Sequence, residues 1–243
     1  MILFFTDFGH DGPYMGEMRA AALRLAPEVP VVDLMADAPA FRPDLAAYLL
    51  AALWPTARPG DVVVAVVDPG VGGERAPLAV RIDGRWLVGP DNGLFEPLLR
   101  RGRAVEPAHI AWRPNDLSAS FHGRDLFAPV AARLARGERS ALVPALPTRF
   151  AAWPDDLPAI VYIDRYGNAV TGLRAAMQAP GTRLSVGDRH LARARTFGDM
   201  PPGEPFWYAN SSGLAEIAVN AGSAASLLGL DVGSPIGLAA PPA

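Results

Sequence analysis

The run DVVVAVV at residues 61–67 constrains this chain more than any other stretch. After Asp61 it is continuously apolar and almost wholly β-branched, with no polar residue alternating through it. Such a strand has no face for water and must be covered on both sides. Helices are the usual cover, so the first half should be an α/β layered unit. The flanking sequence agrees. Residues 1–5 and 29–34 read as strands, and 14–25 and 43–54 carry helical spacing. Asp11 and Pro13 mark a helix start, and Pro27 a stop. Residues 78–82 and 86–88 flank Asp83-Gly84, a hairpin signal. Further helices are expected over 92–101 and 124–136. The prediction is a three-layer α/β/α domain with a mostly parallel sheet, spanning residues 1–145.

A proline-rich stretch then breaks the pattern, and residues 146–158 read as a linker. Beyond it the apolar segments are short and separated by turn residues: 159–163, 168–171, 183–186, 205–208, 216–219 and 234–238. This predicts a small all-β barrel domain over residues 159–243.

Half of the 243 residues are hydrophobic, so a core needs no staples. There is no cysteine, which removes disulfides, thiolate metal sites and cysteine nucleophiles together. The 22 basic and 25 acidic residues are interspersed, with no basic run, and no nucleic-acid partner is expected. The opening MILFFTDFGH turns acidic after five apolar residues and lacks a basic leader, so it reads as a buried strand rather than a signal peptide. No apolar stretch is long enough to span a bilayer. A cytoplasmic protein with no membrane partner is the expectation.

Polar residues gather where predicted strands end, the edge at which open α/β sheets take ligands. In TDFGHDG, Asp7 directly follows a strand and suits a ribose-gripping carboxylate, while Asp11 suits a helix cap. In VDPGVGGER, the glycines precede a strand instead of opening a helix, which argues against a phosphate loop. They suit a close backbone approach, with Asp68 and Arg75 converging on a ligand or forming a plain ion pair. GPDNG is first of all a turn. In FHGRD, His122 sits beside a glycine at a helix start and Asp125 supplies charge to that helix terminus. The second half adds DRYGN and NSSG with NAG, each also explicable as a turn.

Six segments (TDFG, VDPGVGGER, GPDNGL, FHGRDLFAPVAA, DRYGNAVT and NSSGLAEIAVNAG) run in one order across nearly the whole chain. In that order they resemble the S-adenosyl-L-methionine hydroxide adenosyltransferase family, relatives of the enzymes that make fluoro- and chloro-adenosine. The resemblance implies an α/β domain followed by a β-barrel domain. It also implies a homotrimer, with each active site between one subunit's first domain and a neighbour's second. It places Asp68, Arg75 and His122 on a catalytic triad and Asp7 on the ribose carboxylate. Phe41 falls on an aromatic that packs against substrate. Asp164 and Ser211 fall at the methionine amino and carboxylate groups, Tyr166, Asn168 and Ala221 around adenine, and Asn220 beside them. Ser212 stands where some relatives have an arginine.

The implied reaction is hydrolysis of S-adenosyl-L-methionine to adenosine and methionine, without metal or cofactor. Halide use is disfavoured, because Asp68 would repel an anion and His122-Gly123 replaces hydroxyl-bearing residues. Two rivals of other classes stand beside this reading. One is a phosphohydrolase with a metal held by Asp7, His10, Asp11 and Asp91. The other is a non-catalytic S-adenosylmethionine or adenosine binder, which would need no triad.

Overall fold

The computed structural model describes residues 1–239, so the last part of the expected C-terminal domain lies outside the described residues. The chain divides into two compact units, Met1–Phe150 and a second beginning at Ala151.

The first unit runs β1 (Ile2–Thr6), α1 (Tyr14–Leu25), β2 (Val31–Met35), α2 (Pro43–Leu53), β3 (Val62–Val66), β4 (Pro77–Ile82), β5 (Arg85–Pro90), α3 (Glu96–Arg101), β6 (Val105–Ile110), α4 (Ala128–Ala135) and β7 (Leu142–Pro144). Its seven strands lie in the order β2-β1-β3-β5-β4-β6-β7. The sheet is mixed. Strands β2, β1, β3 and β5 pair in parallel, whereas β4 meets β5 and β6, and β6 meets β7, antiparallel. This departs from the mostly parallel sheet expected from sequence. The β4–β5 hairpin was expected, since the Asp83-Gly84 turn is too short for a crossover; the departure comes from β6 and β7, not read as strands from sequence, which extend the sheet antiparallel beyond β4.

As the DVVVAVV run requires, both faces of β3 are buried. Ile2, Phe4, Val62, Val64 and Val66 join Met15 and Met18 of α1 and Val130, Ala131 and Leu134 of α4 in one apolar cluster. The intervening Leu3, Phe5, Val63 and Ala65 are buried as well. The helix expected over 124–136 begins as a π-helical turn, Gly123–Phe127, that runs into α4. That expected over 92–101 is shorter, because residues 91–95 form the turn before α3.

The second unit continues with β8 (Leu157–Ile163), β9 (Ala169–Arg174), β10 (Arg183–Val186), β11 (Arg189–Leu191), β12 (Pro205–Ala209), β13 (Leu214–Val219), α5 (Ala224–Leu228) and β14 (Gly237–Ala239). Its strands form two antiparallel sheets, β12-β13-β9-β8 and β11-β10-β14. Backbone bonds join them at two seams. Ile160 N donates to Ser234 O and Gly233 N to Ile160 O, while Ala194 N donates to Trp207 O and Trp207 N to Ala192 O. Ile160, Ile217 and Trp207 of one sheet pack with Leu184 and Leu191 of the other.

Phe4 is fully buried in the cluster beneath the α1–α4 pair. Phe4→Ala should lower the unfolding free energy by about 3–5 kcal/mol, read from urea denaturation. A loss below about 1 kcal/mol would mean that this cluster is not the packed core described.

Candidate functional site

Parallel pairing sets the first site. Register partners Thr6 and Val66 end β1 and β3 side by side, so Asp7 and Asp68 leave the sheet at the same edge. Asn92 fixes the second exit: its amide donates to the Val67 carbonyl (2.9 Å), and its Oδ1 accepts from Leu94 N (3.3 Å). The chain then turns through Gly72 at φ +78°, where a Cβ would lie 2.3 Å from the Ala119 carbonyl oxygen. Only glycine lets these two loops touch.

This closeness brings together three of the residues singled out from sequence. Arg75 Nε donates to Asp68 Oδ1 (3.1 Å) and Oδ2 (3.0 Å), and Nη2 also donates to Oδ2. Arg75 Nη2 further donates to His122 Nδ1 (2.9 Å). The guanidinium lies 5.4 Å from the Phe127 ring centroid. Asp68 and Arg75 side chains are only 4% and 11% exposed, so this is no solvated surface pair.

The partners also assign the histidine tautomer. A guanidinium only donates, so Nδ1 must accept and the ring proton resides on Nε2. Burial first, and then the positive charge of Arg75, hold the His122 pKa below its ordinary value, which favours the same neutral form.

Asp68 and His122 line a cleft of about 560 Å³ together with Asp7, Phe8, Tyr14, Phe41 and Phe121. Asp7 Oδ2 accepts from Phe41 N (3.0 Å). Burial pushes the Asp7 carboxyl pKa up, against the lowering effect of that bond, and the Asp68 charge adds to the rise. Phe41 is 73% exposed and sits at φ +61°, a left-handed backbone unusual for an aromatic residue. Phe8, Tyr14 and Phe121 form an edge-packed trio with centroids 5.4–6.0 Å apart. Sequence reasoning did not single out this trio, although Phe8 and Phe121 stand inside the quoted motifs. Asp125 does more than charge a helix end: it accepts from Arg124 (2.6 and 3.0 Å) and from Ser118 N (3.0 Å). Arg124 also reaches Glu17 (2.6 Å), linking α1 to the His122 loop.

The rival metal set is not assembled. Asp91 accepts from Thr148 N and Oγ1 (both 2.9 Å). Among the described residues no group of three or more His, Asp or Glu is placed to hold a metal ion.

In the second unit, Asp164, Tyr166, Asn168, Ser211 and Ala221 line a cavity of about 750 Å³ with Phe197, Tyr208, Asn210 and Glu216. Asp164 organises its own loop: Oδ1 accepts from Tyr166 N (2.8 Å) and Asn168 N (2.9 Å), and Oδ2 from the Asn168 amide (2.9 Å). Gly167 follows at φ +83°, where a Cβ would collide with Ser223 Oγ at 2.0 Å. Ala221 also takes a left-handed backbone, at φ +57°. Asn220 is not among the lining residues, and its amide donates to Met200 O (2.6 Å).

Comparison with known proteins adds to this geometry. The family model for the SAM hydroxide adenosyltransferase N-terminal domain matches residues 2–143, and that for the C-terminal domain matches residues 158–237. A Thermus thermophilus protein named (R)-S-adenosyl-L-methionine hydrolase is 41% identical, with 98% of both chains covered. One of the same name from Salinispora arenicola is 39% identical, covering 96% of this chain and 95% of the other. Among solved structures, an uncharacterized conserved protein from Thermotoga maritima superimposes with a TM-score of 0.86 at 28% identity, covering 98% of this chain and 99% of that one. With both domain models matched in chain order, this protein belongs to the SAM hydroxide adenosyltransferase family.

Proposed function

We propose that this protein hydrolyses S-adenosyl-L-methionine at C5′, giving adenosine and L-methionine without a metal or cofactor. The (R) form in its relatives' name is the form proposed here. The observation that carries the reading is the single guanidinium bridging Asp68 and His122 beside the cleft that Asp7 and Phe41 line.

The bond to be broken joins C5′ to a sulfonium, which departs as a neutral thioether and needs no acid. What the site must supply is a nucleophilic water. With Nδ1 occupied, His122 presents Nε2–H, a donor that orients the water oxygen. Asp68 retains acceptor capacity beyond its bonds to Arg75, and it takes the water proton as the oxygen closes on C5′. The C5′–S electron pair passes to sulfur. Arg75 keeps both partners in place and offsets the developing negative charge, in a site holding little bulk water. Asp7 is assigned to the ribose hydroxyls and Phe41 to the substrate's apolar face. Asp164 and Ser211 are assigned to the methionine end, and Tyr166, Asn168 and Ala221 to adenine. The Asn220 bond to Met200 favours a supporting role over substrate contact. A bare binder would need no such triad, and the Asp68 carboxylate disfavours halide as nucleophile.

The same reading covers the larger architecture. The first unit is taken as three layers, divided from the second within residues 146–158. The two seams support closure of the second unit's sheets into a small barrel. Among the described residues no helix is long and apolar enough to cross a membrane; a cytoplasmic site of action is part of the proposal. The protein is proposed to act as a homotrimer in which a neighbour's second unit completes each Asp68 cleft. The exposed rings of Phe41 and Tyr166, 73% and 72% accessible, are suited to meet substrate in such an assembly.

Turnover in water labelled with heavy oxygen should place the label in the 5′-hydroxyl of adenosine, and a chelator should leave the rate unchanged. Methylthioadenosine and homoserine as products would overturn attack at C5′, and a chelator-sensitive rate would overturn the metal-free mechanism.

The pH dependence follows from His122. Protonation turns Nδ1 into a donor facing Arg75 and breaks the assembly. Therefore kcat/KM should rise with pH through an apparent pKa below the ordinary 6.5 and stay level above it. An acid limb centred above 6.5, or one that persists in His122→Asn, would remove His122 from that role.

Asp68→Ala alone should lower kcat about 10²–10⁴-fold while largely preserving substrate affinity. Co-expressed with an inactive Asp164→Ala chain, it should regain about a quarter of wild-type activity, since random trimers recreate that share of intact shared sites. Mixed trimers with no regained activity would exclude a site shared between subunits.

A further inference from the structure

Besides Asp68 of the first site, three carboxylates are buried among the described residues: Asp61, Glu96 and Glu216. Two of them meet cations. Asp61 faces the Met1 ammonium (3.1 Å), and Glu96 faces Arg100 (2.7 Å) and Arg149 (2.9 Å). Glu216, only 6% exposed, meets neutral donors: Tyr208 OH (2.5 Å) and the Asn210 amide (2.9 Å). It lines the second unit's cavity, among whose lining residues there is no arginine or lysine. Burying a carboxylate without a cation is costly, and a packed apolar residue would serve strand β13 better. The arrangement therefore calls for a reason other than stability.

Its bonds supply one. Tyr208 and Glu216 are register partners across β12 and β13. The pairing of β13 with β9 is irregular between Leu214 and Glu216, the kind of break that re-aims a side chain at a site. Asn210, with its amide held by Glu216, turns its Oδ1 to accept from Ser212 N and Leu214 N (both 3.0 Å). Those bonds close the turn that carries Ser211. Burial first, and the Glu216 bond next, push the Tyr208 phenol well above its ordinary pKa, so Tyr208 remains a donor.

We propose that Glu216 is a positioning residue: acting through Asn210, it holds the Ser211–Ser212 turn in the shape that receives the methionine end of the substrate. This rests on the assignment of Ser211 under the proposed function. Ala at position 216 removes both acceptor oxygens and leaves the Asn210 amide without its partner, whereas Gln keeps the Asn210 bond by donating its own amide to the Tyr208 hydroxyl.

The test compares full-length Glu216→Ala with wild type in three measurements. KM for S-adenosyl-L-methionine should rise about tenfold, with kcat and the Kd for adenosine changing less than about threefold. Amide hydrogen exchange at Ser212 and Leu214 should be at least about tenfold faster. Asn210→Ala, which removes the relay but leaves the acid, should produce the same KM rise, and the double variant should add little to it. Should Glu216→Ala fail to fold, Asn210→Ala alone decides. An unchanged KM, or adenosine binding weakened in parallel, overturns the proposal. So does amide exchange equal to that of wild type. A wild-type protein that releases no adenosine would defeat the proposed activity instead, and the exchange rates would still judge Glu216.

Discussion

The Arg75 guanidinium is the tie on which the first site depends. It donates to both Asp68 oxygens and to His122 Nδ1, and so joins two loops 47 residues apart in sequence. A lysine could not do this, because its point charge lacks the planar fork that meets a carboxylate and a ring nitrogen together. The tie also determines what each partner can do. It compels the Nε2–H tautomer of His122 and, with burial, keeps that ring neutral. Histidine thereby becomes a donor that orients, and the proton-accepting role passes to the carboxylate.

Such a tie needs a frame that holds its ends within a few tenths of an ångström. The frame is the register of β1 against β3, the Asn92 amide on the Val67 carbonyl, and the side-chain-free crossing at Gly72. The GPDNG turn therefore contributes twice. Asn92 secures the backbone just before Asp68, while Asp91 fastens Thr148. Glu96 extends the fastening to Arg149 and Phe150 N. The turn reading of that motif was right as far as it went, but a turn signal does not say what its side chains hold.

The parallel half of the first sheet was legible because strands buried on both faces leave an unbroken apolar record, as residues 61–67 do. Of the antiparallel half, only the β4–β5 hairpin was legible, through Asp83-Gly84. β6 reads Val-Glu-Pro-Ala-His-Ile, with a proline and two polar residues, and β7 is three residues long with a proline at its end. Neither carries a period that could be told from a loop. The π-helical turn at Gly123–Phe127 was hidden for another reason: it shares its apolar spacing with the helix it enters. Within the second unit short strands were readable, but the pairing of β14 with β10 joins residues more than fifty positions apart. Among site residues, the titratable groups of the first unit stood out in their motifs. Asn210, although it opens the NSSG motif, and Glu216 were given no role, because their importance lies in the bonds between them and not in either residue type.

Charge joins the two sites in one physical argument. The first cleft is lined by Asp7, Glu17 and Asp68 with Arg124 as its basic residue, Arg75 is bonded to Asp68 and His122 is neutral, and burial already makes the Asp7 charge hard to hold. The second cavity carries Asp164 and Glu216 among its lining residues with no basic side chain. Both surfaces are short of positive charge, and a ligand bearing it would relieve the cost of keeping those carboxylates from water. The substrate proposed here brings a sulfonium and an ammonium. Cleavage at C5′ removes the first of these and leaves a neutral nucleoside and a zwitterion. The electrostatic match is therefore better before reaction than after it, which favours release of products from the same groups that drew the substrate in.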